Sequence, residues 1–271
     1  MAGSMLIFGM GYTASRIAAR LRVEGWQVTG TRRMSAGDAI AFEDRAAVLT
    51  ALDGATHILS SVPPKGEGGD PVLEQYGADI ASSGAKWIGY LSSTGVYGDT
   101  GGAWVDESAS IGTGRRTARA EADEAWQKLG SIFRLPGIYG PGRSALERVR
   151  KRKAHRIDLP DQVFSRVHVD DIVSGVVAAM AGPDGIYNLA DDFPCSQNVV
   201  IDYACALLGL DPSFVQSLEA AQLSPMSQAF YAENRRISNR KARRLLAWKP
   251  LYPTYKQGLD AIFHSNEQLA D

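Results

Sequence analysis

Hydrophobic residues along the chain fall into short continuous runs, and longer stretches of helical periodicity separate these runs. Continuous apolar runs are typical of strands that are buried on both faces of a sheet. Six strands are predicted, at residues 5–8, 26–31, 39–42, 56–61, 86–93 and within 131–140. Helices are predicted between them over residues 13–25, 45–54, 72–84 and 118–130. This alternation predicts βαβ units and a parallel sheet with helices on both faces.

The pattern loosens beyond residue 140. One further strand is predicted at residues 185–190, and helices are predicted over 169–182, 198–209, 240–248 and 258–265. The predicted fold is therefore α/β, a doubly wound parallel sheet (Rossmann fold) with a smaller, mostly helical C-terminal substrate lobe. Residues 1–140 would form the dinucleotide-binding core, and residues 141–271 the lobe, interleaved with the last core strand and helices. Ligands of such sheets bind in the crevice at the carboxyl ends of the strands.

Composition indicates an ordinary soluble globular protein. Hydrophobic residues make up 45% of the chain, charged residues 22%, and the formal net charge is -1. This balance favours neither nucleic acid nor an anionic membrane as a partner, and no apolar run has the length of about 18 residues that a membrane span needs. Two cysteines cannot build a disulfide framework, and the start MAGSM lacks the features of a signal peptide. We therefore expect a cytoplasmic protein.

A glycine-rich turn, GMGYTA at residues 9–14, joins the first strand to the first helix. Gly9 permits the tight turn, Gly11 lets the backbone approach a pyrophosphate, and the small Ala14 allows close helix packing. The helix amides that follow would bind the anion. The alternative is a packing turn without a ligand. The predicted cofactor contacts here are Gly9, Met10, Gly11, Tyr12 and Thr13.

The end of the second strand favours NADP(H) over NAD(H). An NAD site usually has an acidic residue about 20 residues beyond the glycine loop, but the chain has no carboxylate between Glu24 and Asp38. Thr31, Arg32 and Arg33 stand there instead, and guanidinium groups suit a 2′-phosphate. Two solvated loop arginines are the alternative interpretation.

Five further segments occur in order along the chain: YLSSTGVYGD (90–99), RLPGIYGPG (134–142), FSRVHVDDI (164–172), YNLADD (187–192) and RISNRKARRLLAWKP (236–250). Together with the glycine loop they resemble the extended short-chain dehydrogenase/reductases, the NAD-dependent epimerase/dehydratase family. The resemblance runs from Met5 to about residue 263. The chain is similar to an atypical member of this family.

The resemblance implies site residues at the ends of strands. A Ser or Thr four residues before the tyrosine of VYG bonds the reacting oxygen in the family, which implies Ser93 with Thr94 as a substitute; capping the strand end is the alternative. Two further sets would contact the cofactor: Ser61, Val62 and Pro63, unless they form only a proline-rich turn, and Pro136, Gly137 and Ile138. Tyr139 and Arg143 would face the substrate.

Two charged segments have structural alternatives. His168, Asp170 and Asp171 could suggest a metal or a proton relay, but aspartates also suit the start of a helix, which we favour. No other cluster has the spacing of metal ligands, so no metal is predicted. The basic run at residues 148–156 would reach the substrate lobe in the family, where basic residues can hold the diphosphate of a sugar nucleotide; a solvated face is the equal alternative.

The catalytic YxxxK pair of the family is missing. Alignment of RAEAD with the helix that carries the pair places Arg115 at the tyrosine and Arg119 at the lysine. Arg119 keeps a positive charge that can bind ribose or phosphate, whereas Arg115 cannot act as the phenol acid. Three interpretations stay open: an oxidoreductase that uses Tyr97, Tyr139 or a substrate group for proton transfer, a different reaction, or a non-catalytic NADP(H)-sensing regulatory protein.

We favour an NADP(H)-binding oxidoreductase or epimerase-like enzyme that acts on a small carbonyl or hydroxyl compound or on a sugar nucleotide. The candidate catalytic residues are Ser93, Thr94, Arg119 and Tyr139. Family dimers pair the helices after strands four and five, and the second of these helices is polar in this chain. We therefore expect a monomer or a homodimer.

Overall fold

The computed structural model describes residues 3–35, 37–66, 68–112, 117–224, 228 and 230–267. The first part of the chain alternates strands with helices. Its elements are β1 (Ser4–Phe8), α1 (Tyr12–Val23), β2 (Gln27–Arg32), β3 (Ala39–Ala41), α2 (Arg45–Asp53), β4 (His57–Ser60), α3 (Pro71–Ala81), β5 (Trp87–Ser93), β6 (Trp104–Val105), α4 (Thr117–Gln127) and β7 (Ser131–Leu135). A 3-10 turn, Thr94–Tyr97, directly follows β5.

The second part has shorter strands, and three of its helices have eleven or more residues. Its elements are β8 (Gly137–Tyr139), α5 (Ala145–Arg150), β9 (Arg156–Ile157), β10 (Arg166–His168), α6 (Val169–Ala179), β11 (Ile186–Asn188), α7 (Gln197–Leu208), β12 (Val215–Gln216), β13 (Arg236–Ile237), α8 (Arg240–Leu245) and α9 (Tyr255–Glu267).

Seven strands form one parallel sheet in the order β11-β7-β5-β4-β1-β2-β3. The predicted Rossmann fold is confirmed. The strand order reverses direction between β1 and β4, which is where such sheets open a crevice for a ligand. β11 comes from the second part of the chain and pairs with β7, so the last core strand is interleaved with the lobe.

Apolar side chains cover both faces of the sheet. On one face, α1 and α6 bury side chains such as Ile17 and Ile172 against the strands. On the other, α2, α3 and α4 contribute Val48, Tyr76 and Trp126. A third cluster lies in the lobe, where α5, α7 and α9 pack together. The lobe therefore has its own apolar core beside the carboxyl ends of the strands.

Several helices have a side-chain cap at their N-terminus, but α1 has none. Asp44 caps α2, Asp70 caps α3, and Ser144 and Glu147 form a capping box at α5. The N-cap of α1 is Gly11, which offers no side chain, and the first turn of α1 carries no acidic residue. The amides of this turn thus stay available to a ligand.

The predicted strand within residues 131–140 is divided in two. Pro136 has no backbone N–H, and the chain leaves the main sheet there, so that β8 pairs with β10 in a separate two-stranded sheet. The short helix α5 and the two-residue pairs β6–β13 and β9–β12 were not predicted. In the described ranges, we find no helix that is both apolar and long enough to span a bilayer.

Candidate functional site

A cleft of about 850 Å³ lies over the carboxyl ends of the strands, between the sheet and the lobe. The start of α1, the ends of β4 and β5, the β7–β8 link and the lobe all contribute to its wall. Thirteen of the predicted site residues line it: Gly11, Tyr12, Thr13, Ser61, Pro63, Ser93, Thr94, Arg119, Pro136, Gly137, Ile138, Tyr139 and Arg143. The fold thus brings together residues that are up to about half the chain apart.

The glycine turn is held in shape from both sides. Gly9 has a φ of 86°, a value that favours glycine. Its N–H donates to Thr31 Oγ1 at 3.1 Å, and its carbonyl accepts from Ser61 Oγ at 2.5 Å. At Gly11, by contrast, an added β-carbon would meet no atom within 4 Å. These two hydrogen bonds hold the turn in place. The open space at Gly11 lets a ligand come close to the protein backbone there.

The N-terminus of α1 suits a pyrophosphate. The first hydrogen bond of the helix runs from Ser15 N to Gly11 O at 2.9 Å, so the amides of Tyr12, Thr13 and Ala14 precede it. These amides and the helix dipole favour an anion. With the open space at Gly11, the residues present fit a dinucleotide cofactor.

Three neighbouring hydroxyls at the end of β5 have different environments. Ser92 Oγ donates to the buried Asp123 carboxylate at 2.5 Å and is thus engaged beneath the cleft. Ser93 is half-buried, and its Oγ accepts from Gly95 N at 3.1 Å, so its own O–H can still donate to a ligand. Thr94 lines the cleft but is 4% exposed. Ser93 caps the turn, as the structural alternative had it, and its predicted bond to a reacting oxygen stays a prediction.

A buried polar network supports the end of β5 from below. The Asp123 carboxylate pairs with the Arg134 guanidinium at 2.7 Å, and Arg134 also donates to the Tyr97 hydroxyl at 3.1 Å. Tyr97 in turn donates to Asn188 Oδ1 at 2.8 Å. Burial raises the pKa of Tyr97 to about 12, and Tyr97 is absent from the cleft wall. Its placement therefore disfavours it as a replacement acid.

Arg119 lines the cleft at the position of the family lysine. Its positive charge lies close to the Tyr90 hydroxyl, where it opposes the rise in the pKa of Tyr90 that burial causes. The Tyr90 hydroxyl is buried beside this charge. Arg115, at the position of the family tyrosine, lies outside the described residues.

The Tyr139 side chain lines the cleft, and its hydroxyl packs against α9. The side chain is 8% exposed, and a β-carbon placed at Gly258 would lie 2.1 Å from the Tyr139 hydroxyl oxygen. Burial and the nearby Asp191 raise the pKa of Tyr139. The packing against α9 therefore disfavours the predicted catalytic role.

Three predicted cofactor contacts turn their side chains away from the cleft. Met10 packs over Gly30, Thr31 is 1% exposed and braces Gly9, and Val62 packs against the glycine turn. The side chains of Arg32 and Arg33 are exposed at the end of β2, beside the cleft rather than in its wall. Of these five predicted cofactor contacts, only Arg32 and Arg33 have exposed side chains.

The lobe end of the cleft is positively charged. Four exposed cations line it, Arg143, Arg148, Lys151 and Lys153, and no described carboxylate lies within 4.0 Å of their charged groups. Part of the basic run at 148–156 thus faces the cleft. Arg156 pairs instead with Asp202 at 2.8 Å.

Residues far along the chain complete the wall and were not predicted. They are Phe164, Arg166, Leu223, Phe230, Tyr231, Glu233, Arg235 and Ile237. Two of the motif segments, FSRVHVDDI and RISNRKARRLLAWKP, hold or adjoin several of them, and this proximity is the only sequence feature that pointed to them. Arg166 is buried, and its guanidinium donates to the carbonyls of Phe164 and Cys195 at 2.8 and 3.1 Å.

His168, Asp170 and Asp171 have structural roles, as the favoured interpretation had it. His168 is the N-cap of α6, and its Nδ1 accepts from Asp170 N at 3.2 Å. Burial lowers the pKa of His168 to about 4, which keeps the ring neutral for this contact near pH 7. Asp171 accepts from the amides of Leu251 and Tyr252. Within the described ranges, no group of three or more His, Cys, Asp or Glu side chains is placed to hold a metal ion.

Sequence comparison links the chain to two curated proteins. No family model matches it. Protein YeeZ of Escherichia coli is 28% identical over 249 residues, which cover 80% of this chain and 88% of YeeZ. A 3-diazoavenalumate denitrifying reductase of Streptomyces sp is 30% identical over 142 residues, or 48% of this chain and 46% of that protein.

Several solved structures are similar to this chain over nearly its whole length. A conserved protein of unknown function from Silicibacter pomeroyi is 39% identical, with 97% of this chain and 99% of that chain covered and a TM-score of 0.85. The human epimerase family protein SDR39U1, solved with NADPH, is 15% identical, with 96% and 99% coverage and a TM-score of 0.76. UDP-glucose 4-epimerase of Thermotoga maritima, solved with UDP-glucose, is 16% identical, with 99% and 100% coverage and a TM-score of 0.72. The chain therefore belongs to the family of the Silicibacter pomeroyi protein, and its fold is that of the NAD-dependent epimerase/dehydratase group.

Proposed function

We propose that the protein is an NADP(H)-dependent oxidoreductase or epimerase-like enzyme that acts on a small carbonyl or hydroxyl compound. One observation carries this proposal. A single cleft joins the uncapped start of α1 to the Ser93 hydroxyl and to the Pro136–Ile138 wall, so cofactor and substrate could meet there.

Different residues of the cleft wall would contact different parts of the cofactor. The amides after Gly11 would bind the pyrophosphate. Ser61 and Pro63 would lie along the cofactor, and Pro136, Gly137 and Ile138 would cover its nicotinamide. A bound nicotinamide dinucleotide supplies or accepts a hydride. Because all these groups line one wall, the nicotinamide would lie beside the end of β5.

The arginines after β2 support NADP(H) as the cofactor. Arg32 and Arg33 are exposed, and no described carboxylate is placed to compete for them within 4.0 Å. A 2′-phosphate would supply the missing anion through charge-assisted hydrogen bonds. SDR39U1, which shares the fold, was solved with NADPH, and this supports a nicotinamide cofactor of this type.

Ser93 is assigned the role of polarising a substrate oxygen. Its Oγ already accepts from Gly95 N, which orients the O–H for donation into the cleft. Thr94 lies beside it, and Arg119 would bind the nicotinamide ribose or a phosphate. The side chains of Tyr97 and Tyr139 are both buried, and the Tyr139 hydroxyl packs against Gly258, so neither is assigned the proton transfer.

The substrate is proposed to carry an anionic group. Arg148, Lys151 and Lys153 at the lobe end create a field of one sign in a concave site, and such a field concentrates anions. Sugar nucleotides satisfy this requirement, as does a smaller carboxylate or phosphate compound. The partly similar Streptomyces reductase acts on 3-diazoavenalumate, which supports reduction of a small organic substrate.

A second candidate function is a non-catalytic NADP(H) sensor. The observation that favours it is the absence of an accessible phenol at Tyr97 or Tyr139 together with Arg119 at the lysine position. Both candidates require cofactor binding. They differ in turnover, because only the enzyme oxidises NADPH when a substrate is supplied.

Cofactor titration tests the proposal. Wild-type protein is titrated with NADPH and with NADH while tryptophan fluorescence is followed, and Arg32→Ala/Arg33→Ala is the paired variant. We expect tighter NADPH than NADH binding, and the variant should lose NADPH affinity by about tenfold or more while NADH binding changes little. An equal loss for both cofactors would refute the 2′-phosphate assignment. A screen of anionic carbonyl compounds for NADPH oxidation then separates enzyme from sensor.

A further inference from the structure

We propose that Arg143, at the start of the lobe, binds the pyrophosphate of the dinucleotide from the side opposite the helix amides. This inference rests on the proposed cofactor function and adds to it a binding residue outside the glycine loop. It also changes the role of Arg143, which the family resemblance implied for the substrate.

The Arg143 guanidinium lies beside the ring of Tyr12. Its Cζ atom is 5.8 Å from the centre of the Tyr12 ring, and Tyr12 is the first residue of that helix. Arg143 lines the same cleft as Gly11, Tyr12 and Thr13. A long, exposed arginine side chain can therefore reach an anion that rests on these amides.

The loop that carries Arg143 is fixed to the glycine turn. The Tyr12 hydroxyl donates to Pro141 O at 3.0 Å. A β-carbon placed at Gly140 would lie 2.6 Å from that hydroxyl oxygen, so only glycine allows the two segments to come so close. The position of Arg143 relative to α1 is thus set by contacts that do not involve its own side chain.

The carboxylates around Arg143 are already engaged. Glu147 accepts from Gly142 N at 3.1 Å and from Ser144 N at 2.8 Å, within the cap of α5. Asp170 pairs with Arg16 at 3.3 Å. Arg143 therefore adds an uncompensated positive charge beside the helix N-terminus, and both features attract the same anion.

The two arginine sites would recognise different phosphates. Arg32 and Arg33 follow β2, where the 2′-phosphate of NADP(H) is expected, whereas Arg143 lies beside Tyr12 of α1. The pyrophosphate is common to NADPH and NADH. Loss of Arg143 should therefore weaken both cofactors, which distinguishes it from loss of the arginines after β2.

The test compares Arg143→Gln with the control Arg150→Gln, an exposed arginine on α5 outside the cleft wall. Each protein is titrated with NADPH, NADH and 2′-AMP, which has the 2′-phosphate but no pyrophosphate. We expect Arg143→Gln to weaken NADPH and NADH by about tenfold each and to leave 2′-AMP within about twofold. Arg150→Gln should bind all three as the wild type does, and thermal unfolding checks that both variants are folded.

Unchanged dinucleotide affinity in Arg143→Gln would overturn the inference while the proposed cofactor function stands. An equal loss of 2′-AMP affinity would also overturn it, because the loop would then act through the shape of the site. If the wild-type protein binds neither dinucleotide, the proposed function itself fails, and the inference fails with it.

Discussion

Replacement of Asp123 by alanine should destabilise the protein strongly, because Asp123 neutralises a buried guanidinium. Asp123 is 0% exposed and Arg134 is 2% exposed. The carboxylate accepts from Arg134 Nε at 3.1 Å and from its terminal nitrogen at 2.7 Å, and it also accepts from Ser92 Oγ and Gln127 Nε2. In the variant, Arg134 would keep only the Tyr97 oxygen as an acceptor among these partners.

The magnitude follows from the burial of the pair. Breaking a buried ion pair by removing one partner costs about 3–5 kcal/mol, since the remaining charge stays out of water. For a chain of this size, about 1 kcal/mol shifts the melting temperature by roughly 2–4 °C. We therefore expect Asp123→Ala to melt about 6–20 °C below the wild type.

Circular dichroism during heating and urea titration would measure this loss. The matched control is Asp79→Ala, which removes the largely exposed Arg45–Asp79 pair of 2.8 Å and should cost less than about 1 kcal/mol. The double variant Asp123→Leu/Arg134→Met replaces both charges by apolar groups and should recover most of the lost stability. If Asp123→Ala lost no more than Asp79→Ala, the assignment of a buried, charge-neutralising pair would be refuted.

Two further predictions concern a buried acid and the end of β5. Burial raises the pKa of the Asp191 carboxyl to about 7. The folded state therefore binds the carboxyl proton more tightly than the unfolded state does. As a result, the wild type loses stability as the pH rises from about 4 to 7. Asp191→Asn should therefore be more stable than the wild type by on the order of 2–4 kcal/mol at pH 8 and by little at pH 4; urea unfolding at both values measures this, and an equal gain at both would contradict it. Ser93→Ala/Thr94→Ala should lower turnover of a substrate found by screening by about a hundredfold while NADPH affinity stays within about threefold, and full turnover would disprove the role of Ser93.

The strands of the central sheet and the glycine turn could be predicted because the pattern that indicates each of them lies within a few consecutive residues. The apolar runs of β1, β4 and β5 and the glycine turn at residues 9–14 are short-range features that carry their own geometry. The position of Ser93 followed instead from the family resemblance of YLSSTGVYGD, in which a Ser or Thr stands four residues before the tyrosine. These segments all lie in the parallel sheet, where alternation of strand and helix leaves few topologies.

The lobe was harder to predict because its elements are short and its contacts are distant. α5 has six residues, too few for a helical period to be recognised. The Tyr139 hydroxyl packs against Gly258, and part of the cleft wall comes from Leu223 and from residues 230–237. No local pattern shows which of these residues meet. Side-chain orientation at Met10 and Thr31 also depended on packing across the sheet.

The central claim is that the cleft binds a dinucleotide at Gly11, and one paired titration tests it most directly. Gly11 has a φ of -91°, which any residue can adopt, and an added β-carbon would meet no atom of the protein within 4 Å. Gly11→Val should therefore leave stability within about 1 kcal/mol of the wild type and fill only the space for the cofactor. The control Gly84→Val also adds a side chain into open space, outside the cleft wall.

Titration of the wild type, Gly11→Val and Gly84→Val with NADPH, followed by tryptophan fluorescence, gives the three affinities. The account predicts binding by the wild type and by Gly84→Val, and at least about tenfold weaker binding by a folded Gly11→Val. Equal NADPH affinity for the wild type and Gly11→Val, or no binding by the wild type, would contradict it.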